Sequence, residues 1–238
     1  MTGQAIHSHT RQLVTPEEFV RLSGANYREK GIFPMCPACG AALSPYGVHS
    51  LSVTSRFDHP DHSNCELSSR PDPRFAHLKP SGWDLEQGNR LFAEFCEPEN
   101  LKAVYALCRN ICGKLTGDEF LAMCRAAYRK NIWAYRGITL TYLPYVLVTL
   151  VDLEKGVSGK RKIPYRIVLH KPSRSLLDAL WLTPEDCSLR KVFADTGNLM
   201  RDGEVAIPQP EADTSWISEA LLRKIRECCV HGKSAPHG

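Results

Sequence analysis

The chain has 238 residues, 43% hydrophobic and 24% charged, with a formal net charge of +4. Those proportions fit a folded protein of one or two domains and exclude a wholly disordered or collagen-like chain. The longest apolar run, Leu143 to Leu153, is too short to span a bilayer and is broken by Pro144, Thr149 and Asp152, so no membrane partner is expected.

The N-terminal stretch MTGQAIHSHT lacks a basic-then-apolar pattern, which points to a cytoplasmic protein. In that compartment thiols stay reduced, so the ten cysteines read as metal ligands, core residues or reactive thiols. Charge is uneven. Residues 1–100 carry 9 Lys/Arg against 12 Asp/Glu, and the rest carry 21 against 14.

Along the chain, Thr15 can cap a short helix that starts at Pro16, with Glu17 and Glu18 at the positive end of its dipole. Residues 31–66 read as short strands and turns, and a Ser/Pro/Asp-rich loop follows from Ser68 to Pro73. Asp84 with Gln87 has the spacing of a capping box and opens a helix to about Phe95. Pro98 starts a second helix to about Cys112, with Leu101, Val104, Tyr105, Cys108, Ile111 and Cys112 at helical spacing. Thr116 and Glu119 form a capping box for a third, to about Trp133.

After Gly137 the composition turns β-branched and aromatic. ITLTYLPYVLVTLVDL and IPYRIVLH are predicted to form a long β-hairpin or two neighbouring strands, joined by the basic loop EKGVSGKRK. Short helices are expected near Ser175–Trp181 and after Thr183-Pro184, with an irregular stretch around Asp195–Asp213. A last helix should open at Ser215 and run through Ile217, Leu221 and Ile225 to Cys228. Trp133, Tyr135, Tyr142 and Trp181 are expected to fasten helices to the sheet.

The strongest chemical signal is Cys36-Pro-Ala-Cys39-Gly40. Two thiolates three positions apart on a tight turn can grip one tetrahedral ion, and the glycine lets the chain reverse around it. A structural zinc needs four ligands. Cys65 supplies a third, and His59 or His62 a fourth. A redox CxxC would precede a helix, whereas AALSPYG follows here. The Arg74–His77 segment repeats the aromatic-x-His pattern and makes His77 a rival ligand.

CPACG, then RFDH, then Cys65 resembles the N-terminal zinc ribbon of competence-protein CoiA-type sequences. Similar ribbons occur in proteins carried by bacterial mobile elements. The resemblance covers residues 31–66. It implies a zinc centre of Cys36, Cys39, His59 and Cys65, with His59 chosen because it directly follows the aromatic-x pair, and it implies a bacterial origin.

Cys96, Cys108, Cys112 and Cys124 could present four thiolates to one cluster, but Cys108, Cys112 and Cys124 fall in apolar helix stripes and read as core. Seven basic residues and no acid lie between Lys155 and Arg174. Together with Tyr142, Tyr145 and Tyr165, expected to be exposed, this basic hairpin suits a phosphate backbone. The expected contacts are Lys160, Arg161, Lys162 and Arg166, joined by Arg125 and Arg129 of the third helix. Asp58-His59 has the look of the start of an HNH nuclease motif, and Asp152 with Glu154 lies where carboxylate nucleases place theirs. Neither set is complete, and no Walker loop, GxGxxG, GxSxG or HExxH occurs.

The expected architecture is α+β. A zinc-ribbon domain with an N-terminal helix spans 1–80, an α+β domain of helices and a β-hairpin spans 81–230, and 231–238 form a disordered tail. The leading function is a non-enzymatic, zinc-stabilised accessory protein of a bacterial mobile element that binds nucleic acid. A protein–protein adaptor docking through the ribbon is second, and a metal-dependent nuclease third.

Overall fold

The computed structural model describes residues 2–60, 65, 67–68, 82–154, 161–170, 188–206 and 214–231. Among them, helices and three small antiparallel sheets make an α+β fold. No helix in this set is long and apolar enough to cross a membrane.

The first sheet has β1 (Ala5–His7) between β2 (Leu13–Val14) and β3 (Pro34–Met35). Between β2 and β3 runs α1 (Pro16–Ser23), whose start is fixed as expected. The Thr15 hydroxyl accepts from the Glu18 amide and the Glu18 carboxylate accepts from the Thr15 amide. This reciprocal box satisfies two amides that the first helical turn leaves without partners. α1 drives Phe19 into a fully buried position against His7, Tyr27 and Phe57. The second sheet is a hairpin of β4 (Ser44–Tyr46) and β5 (Arg56–Asp58). Paired backbone bonds between Thr2 and Phe57, and a Met35–Ala42 bridge, stitch the two sheets together.

α2 (Leu85–Cys96) opens on Asp84, whose carboxylate accepts from the Gln87 amide at 2.9 Å. Gln87 does not complete the box. Its side-chain amide reaches 51 residues along the chain to the Ile138 carbonyl, and its oxygen accepts from Gly137. α3 (Pro98–Cys112) keeps the expected limits and ends on Gly113 at φ 75°, a left-handed cap suited to glycine. α4 (Gly117–Arg129) has the Thr116/Glu119 box but stops earlier than predicted. Asn131 turns left-handed at φ 50° and a separate 3-10 turn, Ile132–Ala134, carries Trp133 back onto Phe92 and Phe95 of α2. Tyr135 packs on Trp83 and Tyr142 on Tyr145. These aromatics fasten helical segments and turns to one another, where sequence suggested helix to sheet.

The predicted strand after Gly137 is corrected. Leu143–Leu147 is a short helix, α5, with Pro144 in its first turn and all five residues buried. A segment with no polar face gives no periodicity to separate helix from strand. Among the described residues, the expected hairpin is represented only by the Leu153–Tyr165 bridge. β6 (Tyr165–His170) pairs instead with β7 (Ser188–Phe193), and β7 with β8 (Leu199–Val205), inside the stretch expected to be irregular. A register shift between Arg190 and Val192 and the glycine at 203 hid that strand. A Cβ on Gly203 would lie 2.7 Å from the Lys191 carbonyl oxygen, so only glycine fits there. The final helix, α6 (Glu219–His231), starts after Ser218, whose hydroxyl accepts from Leu221, and not at Ser215. The helices expected after Ser175 and Thr183, Trp181, and residues 232–238 lie outside the described residues.

Candidate metal centre

Four side chains from three segments converge beside the first two sheets. Cys36 follows β3 directly. Its amide donates to the Ala41 carbonyl at 2.7 Å, and the Gly40 amide donates to the Cys36 carbonyl at 2.8 Å, closing the Cys36–Cys39 turn. Gly40 sits at φ 73°, the left-handed region that allows this reversal. His59 is held at the end of β5, one residue beyond its last pairing with Ser44. At Cys65 a second tight turn is closed by the Ser68 amide donating to the Cys65 carbonyl at 2.9 Å.

The ligand atoms of Cys36, Cys39, His59 and Cys65 all lie within 4.8 Å of one another. Cys36 Sγ is 3.7 Å from Cys65 Sγ, and Cys39 Sγ is 3.6 Å from His59 Nε2. The amides of Ala38 and Cys39 point at Cys36 Sγ, and that of Leu67 at Cys65 Sγ. Such N–H···S contacts favour thiolate over thiol. Cys36 and Cys65 are 1% and 3% exposed, whereas Cys39 faces solvent.

Without a cation the three sulfurs compete for charge. Hydrogen bonds from the Cys36 and Cys65 thiols hold Cys39 well below the ordinary thiol range. Cys36, hydrogen-bonded to Cys39 and Cys65 and buried, is pushed far above it. One thiolate is therefore stable here by itself, and three require a positive ion among them. His59 presents Nε2 to the cluster, while its buried Nδ1 has no hydrogen-bond partner among the described residues. The arrangement can hold a metal ion. His62 and His77, the alternative ligands, lie outside the described residues.

The helical cysteines are core, as their stripes implied. Cys108, Cys112 and Cys124 are at most 3% exposed, and burial pushes the Cys112 thiol up to about 12. Among the described residues the only set of donors close enough for a metal is the one above.

The expected nucleic-acid contacts divide. Arg161 turns inward and is 8% exposed. Its guanidinium donates to Glu119 Oε1 at 2.5 Å, to the Glu154 carbonyl at 2.7 Å and to the Lys114 carbonyl at 2.8 Å. Burial pulls the Glu119 carboxyl up, but the bonds from Arg161 and the Thr116 amide outweigh this and hold it below the usual carboxylate range. Arg166 lies 3.3 Å from Asp152 and donates to the Ala194 carbonyl. Both arginines thus have structural partners that sequence did not reveal, because Glu119 lies 42 residues from Arg161. Tyr142, Tyr145 and Tyr165 are buried, correcting the expectation of exposed stacking platforms. Lys162, Arg125 and Arg129 are exposed, and Lys160 lies outside the described residues.

Two of the nuclease-like carboxylates are paired as well. Asp58 pairs with Arg56 at 2.9 Å, and Asp152 with Arg166. A serine–histidine pair does occur, with His7 Nε2 3.0 Å from Ser23 Oγ. However, His7 Nδ1 accepts from the amides of His9 and Thr10, each at 3.2 Å, so Nε2 carries the proton and donates to Ser23. The ring cannot act as a base toward that hydroxyl in this tautomer, and the pair ties β1 to α1.

Comparison with protein-family models, with curated proteins and with solved structures gives no match to this chain.

Proposed function

We propose that Cys36, Cys39, His59 and Cys65 bind one structural zinc ion, and that the protein uses the fold so stabilised to bind nucleic acid as an accessory protein of a bacterial mobile element. The donor spacing carries the zinc reading. Zn–S bonds of about 2.3 Å and a Zn–N bond of about 2.0–2.1 Å at tetrahedral angles place two sulfurs about 3.8 Å apart and sulfur and nitrogen about 3.5–3.6 Å apart. The observed 3.7 and 3.6 Å fit both values. Softness agrees, since three thiolates and an imidazole suit zinc better than magnesium or calcium. Four protein ligands complete the coordination shell and leave no position for a reacting water, as in structural rather than catalytic zinc sites. Metal analysis of protein purified without added zinc should give roughly one equivalent per chain. Full zinc content in both Cys36→Ala and Cys65→Ala would refute the assignment.

The nucleic-acid reading rests on the positive balance after residue 100 and on the cations that remain exposed, Arg125 and Arg129 on α4 and Lys162 before β6. Binding to duplex DNA should weaken linearly on a log–log plot against salt. Arg125→Ala with Arg129→Ala should flatten the slope by roughly 0.9 per lost phosphate contact. No binding of DNA or RNA at low salt would reject this reading. The adaptor reading has an observation of its own. A groove of about 530 Å³ beside the β4–β5 hairpin is lined by Val20, Tyr27, Tyr46, Val48, His49 and Val53. Salt-insensitive capture of a protein by the ribbon, with no affinity for nucleic acid, would put it ahead.

A further inference from the structure

We infer that the metal centre is a peroxide-responsive switch in which Cys39 is the sulfur first oxidised and Cys36 or Cys65 closes a disulfide onto it, expelling the ion. This rests on the zinc reading above and adds a regulation to that site. Two features of the cluster lead to it, exposure and proximity. Exposure separates the sulfurs, because Cys39 faces solvent while Cys36 and Cys65 are 1% and 3% exposed. Oxidant arriving from solvent therefore meets Cys39 first. Backbone amides reach all three sulfurs, Ala38 and Cys39 on Cys36, Leu67 on Cys65 and Ala41 on Cys39, so exposure is what ranks them. Finally, both buried sulfurs lie within 4.8 Å of Cys39 Sγ, so closing the disulfide needs only local movement.

The chemistry balances with peroxide as the two-electron oxidant. The Cys39 thiolate attacks one peroxide oxygen, the O–O bond breaks, and a sulfenic acid and hydroxide form. A neighbouring thiolate then attacks the Cys39 sulfur. The S–S bond forms, the S–O bond breaks, and a second hydroxide leaves. With two protons taken up, two thiolates become a disulfide and peroxide becomes two waters. A disulfide is a poor zinc donor, so the ion keeps only one thiolate and His59 and is released. Since binding energy at such a site is folding energy, the Cys36–Cys39 turn, His59 at the end of β5 and Cys65 lose their common tie with its loss.

Zinc-loaded full-length protein is treated with stoichiometric hydrogen peroxide in the presence of a chromophoric zinc chelator, and thiols are mapped by alkylation and mass spectrometry. Zinc release should match disulfide formation one to one. The disulfide should join Cys39 to Cys36 or Cys65, and thiol reductant with added zinc should restore the loaded state. Cys96→Ser, which removes a half-buried thiol outside the centre, should release zinc at the parent rate. Zinc release with Cys39 still alkylated as a free thiol would overturn the inference. So would zinc retained while other cysteines oxidise, or a response lost in Cys96→Ser. Protein that holds no metal and takes up none before peroxide is added fails at the zinc reading itself.

Discussion

Replacing Arg161 by Met keeps much of the side-chain volume and removes the charge. The guanidinium joins three places that are far apart in sequence: the carboxylate that caps α4, the Lys114 carbonyl after α3, and the Glu154 carbonyl before the β6 segment. Removing one partner of a fully buried pair costs about 3–5 kcal/mol, mostly because the other charge is left stranded. Glu119 is 24% exposed on its side chain and keeps its bonds to the Thr116 amide and hydroxyl, so water and the cap relieve part of that loss. The expected cost is about 2–4 kcal/mol, or roughly 5–15 °C in Tm for a chain of this size. Glu119 ionises below its usual range in the folded protein. Its contribution is therefore present above its unfolded pKa, about 4.3, and is lost as pH falls through the lower folded value. Urea titrations of wild type and Arg161→Met at pH 7, 5 and 3.5 test this, with zinc content checked in both. The gap should be largest at pH 7 and shrink toward pH 3.5. A variant within about 0.5 kcal/mol of wild type at pH 7, the range of ordinary surface substitutions, or a gap independent of pH, would refute the reasoning.

Gly88→Ala should destabilise by about 1–3 kcal/mol despite alanine's better helix propensity, because its Cβ would lie 2.8 Å from Ala134 Cα and 2.9 Å from Ala134 N. Gly117→Ala meets only the tip of Leu221, which can rotate, and should stay within about 1 kcal/mol of wild type by thermal melting. Tyr165→Phe strands the Cys112 carbonyl that its hydroxyl bonds at 2.6 Å and should cost about 1–2 kcal/mol in chemical denaturation. Burial raises the Tyr165 hydroxyl to about 12, so its contribution holds below the unfolded value near 10 and fades as pH rises through about 12. Burial also raises the hydroxyls of Tyr105 and Tyr128, so phenolate absorbance should show several late-titrating tyrosines, of which Tyr165→Phe removes one. A strong zinc chelator at neutral pH should lower the Tm of the loaded protein, and an unchanged melt would mean that the ion contributes nothing to stability.

Helix starts were legible in the sequence because a cap is a local bond. Thr15, Asp84 and Thr116 each reach an amide three residues ahead, and all three helices begin where those residues predict. The candidate donor cluster was legible for a similar reason, since a CxxC turn and a nearby Cys and His show their chemistry in their spacing. What could not be read depends on partners far along the chain. β6 has the composition of a strand, but nothing in it announces β7 as its neighbour. Arg161 has the composition of a solvated loop, and Glu119 with the Lys114 and Glu154 carbonyls, brought near by the fold, makes it a buried anchor. Leu143–Leu147 failed in another way: burial on every side erases the pattern that tells a helix from a strand.

The strand pairings of the first two sheets, together with the Thr2–Phe57 and Met35–Ala42 bridges, all close within the first 58 residues, and the last ligand of the cluster is Cys65. During synthesis this part of the chain leaves the ribosome before α2 begins at Leu85. The four candidate donors are therefore all out before any helix from α2 onward emerges. On the zinc reading proposed above, capture of the ion can precede the folding of α2 and of everything after it.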